Sequence, residues 1–156
     1  CKSITFLIND DLGLALAVEA AGVHLGKDDM PYKIARKLLG KSKKIGLTVH
    51  NAQEAEEAQE LGADYAGVSP IFSTTTKQDA GPGLGIEALR NIRERISIPI
   101  VAIGGINLEN AAEVIRCGAD SLSAISAVVT KNDVKQEIEK FQALFNLSQG
   151  HEGRIK

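Results

Sequence analysis

The sequence predicts an α/β protein built as a TIM-type (β/α)8 barrel, with about six of the eight strand–helix units present in the chain. Short apolar runs alternate with amphipathic stretches along its whole length. Polar or glycine-rich residues follow every apolar run. A barrel gathers ligand contacts from all of its strand ends, whereas an open doubly wound sheet uses one switch point, so this even distribution favours the barrel. The first run is not followed by a GxGxxG pattern, which argues against a dinucleotide fold.

The predicted strands, in chain order, are Thr5–Ile8, Val23–Leu25, Ile45–Val49, Tyr65–Val68, Ile100–Ile103 and Leu122–Ile125. The predicted helices, which carry apolar residues at three- and four-residue spacing, are Asp11–Ala20, Tyr32–Leu39, Ala52–Leu61, Ile86–Arg95, Leu108–Cys117 and Val134–Phe145. Asn51 and Glu54 approximate a capping box at the third helix. A weak repeat places Gly22, Gly62 and Gly118 just before three strands, where each is expected to end the preceding helix.

The domain organisation follows from this count of units. Residues 1–147 are expected to form one partial barrel domain, and residues 148–156 a C-terminal tail. A complete barrel has eight units and typically at least ~200 residues. The chain has 156 residues, begins with Cys1 and has Met30 as its single methionine. We therefore expect about two units to be missing on the N-terminal side, which leaves open strand edges that favour a homo-oligomer.

Composition and charge limit the kinds of molecule that the protein is expected to bind. The formal net charge is −2 and the sequence pI is about 5.9, so no basic surface is expected for nucleic acid or for an anionic membrane. No apolar run approaches the roughly 18–20 residues of a membrane span, and the start does not read as a secretory signal. We expect a cytoplasmic protein that acts on small molecules.

One long connection and one glycine pair are candidates for phosphate binding. The segment from Ser69 to Gly83 is longer than the usual two to six residues of a strand-to-helix loop, and it carries three threonines and Lys77. Hydroxyl donors and a compact cation are suited to a phosphate, so a lid over the active site is favoured over a plain polar loop. Gly104 and Gly105 follow a strand, where bare backbone can approach a phosphate. A simple tight turn is the alternative.

Two aspartates are candidates for a magnesium site. Asp10 follows the first predicted strand and Asp29 follows the second. Mg²⁺ favours one or two carboxylates together with water and substrate phosphates. Aspartates also cap helices, and spacing alone gives that structural role comparable weight. His24 and His50 lack the clustered ligands of a zinc site and are expected to pack and hydrogen-bond at strand ends.

Five motifs in order resemble those of thiamine phosphate synthases. They are Ile8–Asp11, Gly22–Asp29, Gly46–Asn51, Gly62–Lys77 with Asp79, and Ile103–Ile106. The resemblance covers nearly the whole chain. It implies a transferase that joins a pyrimidine methyl diphosphate to a thiazole phosphate in thiamine biosynthesis, with Mg²⁺ assisting the departure of pyrophosphate.

The resemblance also implies roles for individual residues. Asp10 and Asp29 would bind Mg²⁺, and Asn9 and Lys77 would contact the diphosphate. Thr48 occupies the position of a serine in the pyrimidine site, and together with Lys77 it is the expected catalytic group. The thiazole phosphate would be held by a further set of residues, namely Thr74, Thr76, Gly105 and Ser126.

The sequence departs from the family pattern in ways that leave alternatives open. Thr48 replaces serine, while Ser69 and Ser73 stand where glycine and proline are usual. A second strand that bears glutamine, arginine and lysine has no counterpart. An inactive thiazole phosphate-binding module is therefore one alternative. A thiazole tautomerase-like protein is another, although that family carries a histidine near Ser69. An aldolase that forms a Schiff base on Lys77 is disfavoured, because such a lysine usually needs a desolvated position.

Overall fold

A computed structural model describes residues 4–74, 76 and 81–152. Six strands are present in this part of the chain: β1 Leu7–Asn9, β2 Gly22–Leu25, β3 Lys44–Val49, β4 Tyr65–Val68, β5 Ile100–Ile103 and β6 Ser121–Ser123. The helices are α1 Leu12–Ala17, α2 Tyr32–Leu39, α3 Ala52–Leu61, α4 Ile86–Arg95, α5 Ala111–Arg116, α6 Ser126–Val129 and α7 Val134–Glu152. The predicted alternation of strand and helix is confirmed.

The sheet is parallel, and its strands lie in the order in which they occur in the sequence. Each strand pairs with the next one, from Leu7↔Gly22 at one edge to Ile103↔Ser123 at the other. In a doubly wound sheet the order of the strands would reverse partway across the sheet. The strand order here does not reverse. All the strands therefore end at the same side of the sheet, which brings the residues that follow them to one rim.

Two strands end at residues other than those predicted, because the end of a strand depends on pairing with its neighbour and not on hydrophobicity alone. β1 extends to Asn9 because Asn9 pairs with His24. β6 stops at Ser123, although the apolar run continues to Ile125, because its partner β5 ends at Ile103 and offers no further ladder. At the other end of the chain, α7 continues to Glu152, past the expected domain boundary at residue 148.

The core lies between the sheet and the helices. Strand residues that face the helices are fully buried, among them Val23, Ile45 and Ile100. They pack against helix residues such as Ala35 and Leu89. Alternate strand residues are less buried and point to the other side of the sheet. One side of the sheet is therefore a packed structural core, and many residues on the opposite side are partly exposed.

The glycine repeat before the strands has two different causes. Gly62 caps α3 in the left-handed conformation with φ of 88°, as predicted. Gly118 follows α5 with φ of 106°. The prediction is wrong for Gly22, which lies within β2, and α1 ends earlier, at Ala17, with Val18 as its C-cap. A Cβ at Gly22 would lie 2.0 Å from the carbonyl oxygen of Lys44, so close strand approach requires this glycine.

Asp64 and Asp120, each two positions after a glycine of the repeat, connect neighbouring strands at their amino ends. Asp64 accepts hydrogen bonds from the backbone N–H of Ile45 at 2.9 Å, from Arg36 at 2.7 Å and from Lys44 at 2.9 Å. Asp120 likewise accepts from the N–H of Ile100 at 2.8 Å. Burial raises the pKa of Asp64, but the hydrogen bonds from Lys44, Ile45 and Arg36 outweigh it and leave that pKa below its ordinary value. The repeat is thus a structural device.

Candidate functional site

The side of the sheet that faces away from the helices carries the candidate site, and we call it the concave face. Strand alternation assigns to it a set of inward residues, namely Leu7, Asn9, His24, Gly46, Thr48, Tyr65, Gly67, Val101, Ile103, Ser121 and Ser123. His24 of β2 reaches Tyr65 of β4 across the intervening β3. Side chains that meet across an intervening strand show that the sheet curls around this face.

Three polar side chains form a chain of hydrogen bonds on the concave face. Nδ1 of His24 lies 3.0 Å from Oη of Tyr65, and Nε2 of His24 lies 2.8 Å from Oγ1 of Thr48. The imidazole and phenol rings are stacked, with centroids 5.5 Å apart and planes inclined by 21°. Burial, together with the nearby charge of Asp64, raises the pKa of Tyr65 to about 12, so the phenol stays protonated at neutral pH.

Two strand glycines make room for these rings. A Cβ at Gly46 would lie 2.0 Å from Cζ of Tyr65, and a Cβ at Gly67 would lie 2.7 Å from Cε1 of His24. Neither glycine has the positive φ that would otherwise account for its presence. Both glycines therefore act by leaving space, which fixes where the two rings can lie.

His24 is the residue that the sequence interpretation undervalued. We expected a residue that packs and hydrogen-bonds at a strand end, and its ring does pack on Tyr65 and hydrogen-bond to it. It also hydrogen-bonds to Thr48, which is itself a predicted site residue. The signal in the sequence was the alternation of His24 with the buried Val23 and Leu25, which points the imidazole away from the core.

The two predicted metal ligands lie at the ends of neighbouring strands. Asp10 directly follows β1, has a φ of 64°, and donates its N–H to the carbonyl oxygen of His24 at 2.8 Å. Asp29 lies in the turn after β2, where its Oδ2 accepts from the N–H of Gly26 at 2.6 Å. This hydrogen bond stabilises the turn and is not the helix cap that the sequence left open, because the N-cap of α2 is Pro31. It uses the Oδ2 atom of the carboxylate.

The glycine pair after β5 supports the long loop. Gly104 and Gly105 have φ of 95° and 65°. Their Cβ atoms would lie 2.6 Å from Cβ of Pro70 and 2.7 Å from Cβ of Phe72. The carbonyl oxygen of Gly104 accepts from the N–H of Phe72 at 3.1 Å. The pair therefore has a packing reason in addition to the predicted phosphate role, and it places the start of the loop beside the rim.

Two of the predicted loop hydroxyl residues are linked by a hydrogen bond. Oγ1 of Thr74 accepts from the N–H of Thr76 at 3.2 Å. Thr74 is half-buried and Thr76 is exposed. Lys77, the predicted diphosphate contact, lies outside the described residues. Ser126 is the exposed first residue of α6, on the same rim as the ends of β5 and β6.

The described residues also form a cavity beside α3, but they contain no cluster of metal ligands and no membrane-spanning helix. A cavity of about 460 Å³ lies beside α3, lined by helix-facing residues that include Leu47, Val49 and Leu61. Several α3 residues contribute to its lining, and Thr48 of the polar chain contributes to it as well. In the described ranges no cluster of three or more His, Cys, Asp or Glu residues could hold a metal ion. No helix in the same ranges is long and apolar enough to cross a membrane.

Comparison with known proteins shows which family this arrangement belongs to. The family model for thiamine monophosphate synthase matches residues 1–128. The chain is 58% identical over 136 residues to a thiamine-phosphate synthase of Methanosarcina barkeri, covering 87% of the chain and 62% of the relative. It is 60% identical to the enzyme of the same name from Methanosarcina mazei, again covering 87% of the chain, but 57% of the relative. The chain thus spans about three fifths of these relatives.

A solved structure agrees with the sequence relatives. Thiamine phosphate pyrophosphorylase from Pyrococcus furiosus superposes with a TM-score of 0.81 at 42% identity, covering 88% of this chain and 65% of that one. This likeness supports the assignment of the six parallel strands to a curled half-barrel. With a family model that matches most of its length, the chain belongs to the thiamine monophosphate synthase family.

Proposed function

We propose that this chain provides the catalytic half-barrel of a thiamine phosphate synthase, a transferase of thiamine biosynthesis. The reaction joins 4-amino-2-methyl-5-pyrimidinylmethyl diphosphate to thiazole phosphate and releases pyrophosphate. The observation that carries this proposal is the 58–60% identity over 136 residues to relatives that bear this name. The polar rim and the Tyr65–His24–Thr48 chain supply a site of the required kind.

The chemistry suits a site without a strong base. The thiazole nitrogen attacks with its lone pair, a carbon–nitrogen bond forms, and the bond between the pyrimidine methylene carbon and the diphosphate oxygen breaks. No proton leaves the nucleophile. Catalysis therefore rests on holding the two substrates in line and on stabilising the negative charge of the departing pyrophosphate.

Asp10 and Asp29 would hold Mg²⁺ in this proposal. The donor set fits, because Mg²⁺ takes one or two carboxylates and fills its other positions with water and substrate phosphates. Both carboxylates follow neighbouring strands, and the hydrogen bond from Gly26 fixes Asp29 through one oxygen. When bound, the ion would neutralise charge on the leaving diphosphate.

The organic groups are assigned along the rim. Asn9 and Lys77 would contact the diphosphate, and Thr48 would contact the pyrimidine. The thiazole phosphate would meet hydroxyl and backbone donors of a set that comprises Thr74, Thr76, Gly105 and Ser126. Support for this last group comes from packing, because the start of the loop lies against Gly104 and Gly105.

The proposal also covers the complete barrel, the location of the protein and its self-association. The six units would belong to a complete (β/α)8 barrel, since the chain covers 57–62% of its Methanosarcina relatives. Composition favours a cytoplasmic location and small-molecule substrates. For the six units alone, self-association through β1 and β6 is expected, because each of these strands pairs on one side only within the described residues.

The test is an assay with both substrates and Mg²⁺, in which thiamine phosphate is measured by chromatography. Formation of thiamine phosphate that depends on both substrates and on Mg²⁺ is expected. Calorimetric titration with each substrate alone tests the alternative. Binding of thiazole phosphate without turnover would support the inactive binding module, and interconversion of thiazole tautomers without coupling would support the tautomerase-like protein.

A further inference from the structure

At each link of the hydrogen-bond chain on the concave face one group donates and the other accepts, and Tyr65 determines which. We propose that Tyr65 is a positioning residue that holds His24 in the Nε2–H tautomer, so that the hydroxyl of Thr48 donates to an acceptor atom of the substrate. Under the proposed function, that acceptor is a ring nitrogen of the pyrimidine. The proposal concerns a residue that acts through two others and does not itself touch the substrate.

The direction follows from the donor at the inner end of the chain. Tyr65 keeps its phenolic proton at neutral pH and is partly buried. Among the described residues, Nδ1 of His24 is the acceptor that its hydroxyl reaches, at 3.0 Å. If Nδ1 carried the proton, the phenol would have to accept, and its own proton would have no acceptor among the described residues. Polar groups that are removed from water are mostly hydrogen-bonded, so the phenol donates and Nδ1 accepts.

The tautomer of His24 follows from that first step. A neutral imidazole has one N–H and one acceptor nitrogen. With Nδ1 accepting, the proton is on Nε2, which donates to Oγ1 of Thr48 at 2.8 Å. The Thr48 oxygen is thereby used as an acceptor from the protein. Its own proton is then directed to another acceptor, because a hydroxyl has one proton to donate.

Packing holds this arrangement in place. The ring of His24 stacks on Tyr65, and its edge lies against Gly67, where a Cβ would come within 2.7 Å. The β-branched side chain of Thr48 has restricted χ1 freedom in a strand. The hydroxyl is therefore presented from a fixed position. A donor in a fixed position can discriminate between the two kinds of polar atom that an aminopyrimidine offers.

This discrimination gives the site its chemical selectivity, and it rests on the proposed function. An aminopyrimidine presents ring nitrogens, which only accept, and an amino group, which mainly donates. A Thr48 hydroxyl that donates selects a ring nitrogen. If the chain ran in the opposite direction, Thr48 would offer lone pairs and would select the amino group instead.

The first test does not require activity. The chain has three histidines, so ¹⁵N-labelled histidine gives few signals, and His24→Gln identifies those of His24. Two-bond ¹H–¹⁵N correlation spectra, recorded where the imidazole is neutral, distinguish a protonated from an unprotonated ring nitrogen. We expect Nε2 protonated and Nδ1 unprotonated in the wild type, and a shifted Nδ1 signal in Tyr65→Phe. A protonated Nδ1 in the wild type, or an unchanged Nδ1 in the variant, would overturn the proposal.

The second test measures selectivity and has a matched control. The chain has two tyrosines, and Tyr32 lies away from the site, where its hydroxyl donates to the carbonyl oxygen of Gly62. Tyr65→Phe should raise KM for the pyrimidine diphosphate about fivefold to tenfold, the effect of one hydrogen bond. It should leave KM for thiazole phosphate unchanged. Tyr32→Phe should change neither constant.

Substrate analogues complete the design. Replacing one ring nitrogen of the pyrimidine by C–H should remove the difference between the wild type and Tyr65→Phe, because Thr48 then has no acceptor to reach. A difference that persists with both single-nitrogen analogues would refute the ring-nitrogen assignment. If no turnover occurs with any substrate, the proposed function fails, whereas the tautomer of His24 is still decided by the spectra.

Discussion

Replacing Gly67 by alanine should destabilise the fold, although an alanine is the better strand residue. The added Cβ would lie 2.7 Å from Cε1 and 3.2 Å from Nε2 of His24. A separation under 3 Å requires something to move. The end of a flexible side chain could move cheaply, but this ring is hydrogen-bonded at both nitrogens and stacked on Tyr65. We therefore expect the imidazole to shift and its bond to Thr48 to break.

Three contributions set the change in the free energy of unfolding, two of them destabilising and one stabilising. Overpacking in a well-packed site costs about 1–3 kcal/mol. Loss of the hydrogen bond between His24 and Thr48 costs about 1 kcal/mol more. Replacing a strand glycine by alanine returns roughly 0.5–1 kcal/mol of backbone entropy. The net loss of unfolding free energy is thus about 1–3 kcal/mol, and with a urea m-value near 2 kcal/mol/M the midpoint should fall by about 1 M.

The assay is urea unfolding of a double-mutant cycle. In a His24→Ala background the obstructing ring is gone, and the nearest remaining neighbour of the new methyl is the flexible end of Ile103, at 3.3 Å. Gly67→Ala should then be neutral, or should stabilise the protein by roughly 0.5–1 kcal/mol. An equal cost of Gly67→Ala in both backgrounds, or a gain in the wild type, would refute the steric argument.

Three further predictions test the fold and the rim. Asp64→Asn should lower the free energy of unfolding by about 1–2 kcal/mol at neutral pH. That loss should fade as pH falls through the pKa of Asp64, which lies below its ordinary value of 3.8. The reason is that the ionised carboxylate stabilises the fold only above that pKa. A pH-independent loss in urea titrations would contradict this. Asp10→Asn or Asp29→Asn should lower turnover at least about tenfold with the unfolding midpoint unchanged, and unaltered Mg²⁺ dependence in both would remove the metal assignment. Lys77→Ala should weaken diphosphate-dependent turnover more than thiazole phosphate binding, whereas equal losses would indicate collapse of the loop.

The order of the elements could be predicted from the sequence because parallel strands here are apolar runs between amphipathic helices. Asn51 accepts from the N–H of Glu54 at 2.9 Å, so the predicted cap of α3 is confirmed. Glu54 reaches back to the N–H of His50 in place of that of Asn51, which the sequence did not indicate. The ends of β1 and β6 were missed for a different reason. They depend on where the neighbouring strand stops, and local hydrophobicity contains no information about a neighbour.

The site was predictable in part. Asn9 and Asp10 were singled out because they follow a predicted strand; in the structure Asn9 is the last residue of β1 and Asp10 directly follows it. Whether these residues bind substrate and metal stays a prediction. The second role of Gly104 and Gly105 was not predictable. Their contacts are with Pro70 and Phe72, more than thirty positions earlier in the chain, and a glycine pair reads the same whether a phosphate or a loop approaches it.

The polar chain on the concave face explains why single-residue reasoning undervalued His24. An imidazole on a strand has no evident function until its neighbours are known, and those neighbours are Thr48 on the next strand and Tyr65 on the one after. The sequence nevertheless contains a trace of this arrangement. Gly46 and Gly67 occupy inward positions on the strands that the two rings cross, and a glycine there has no propensity reason to be present. In this sheet, Gly46 and Gly67 each have a ring from another strand lying over them, and both rings belong to the polar chain of the candidate site.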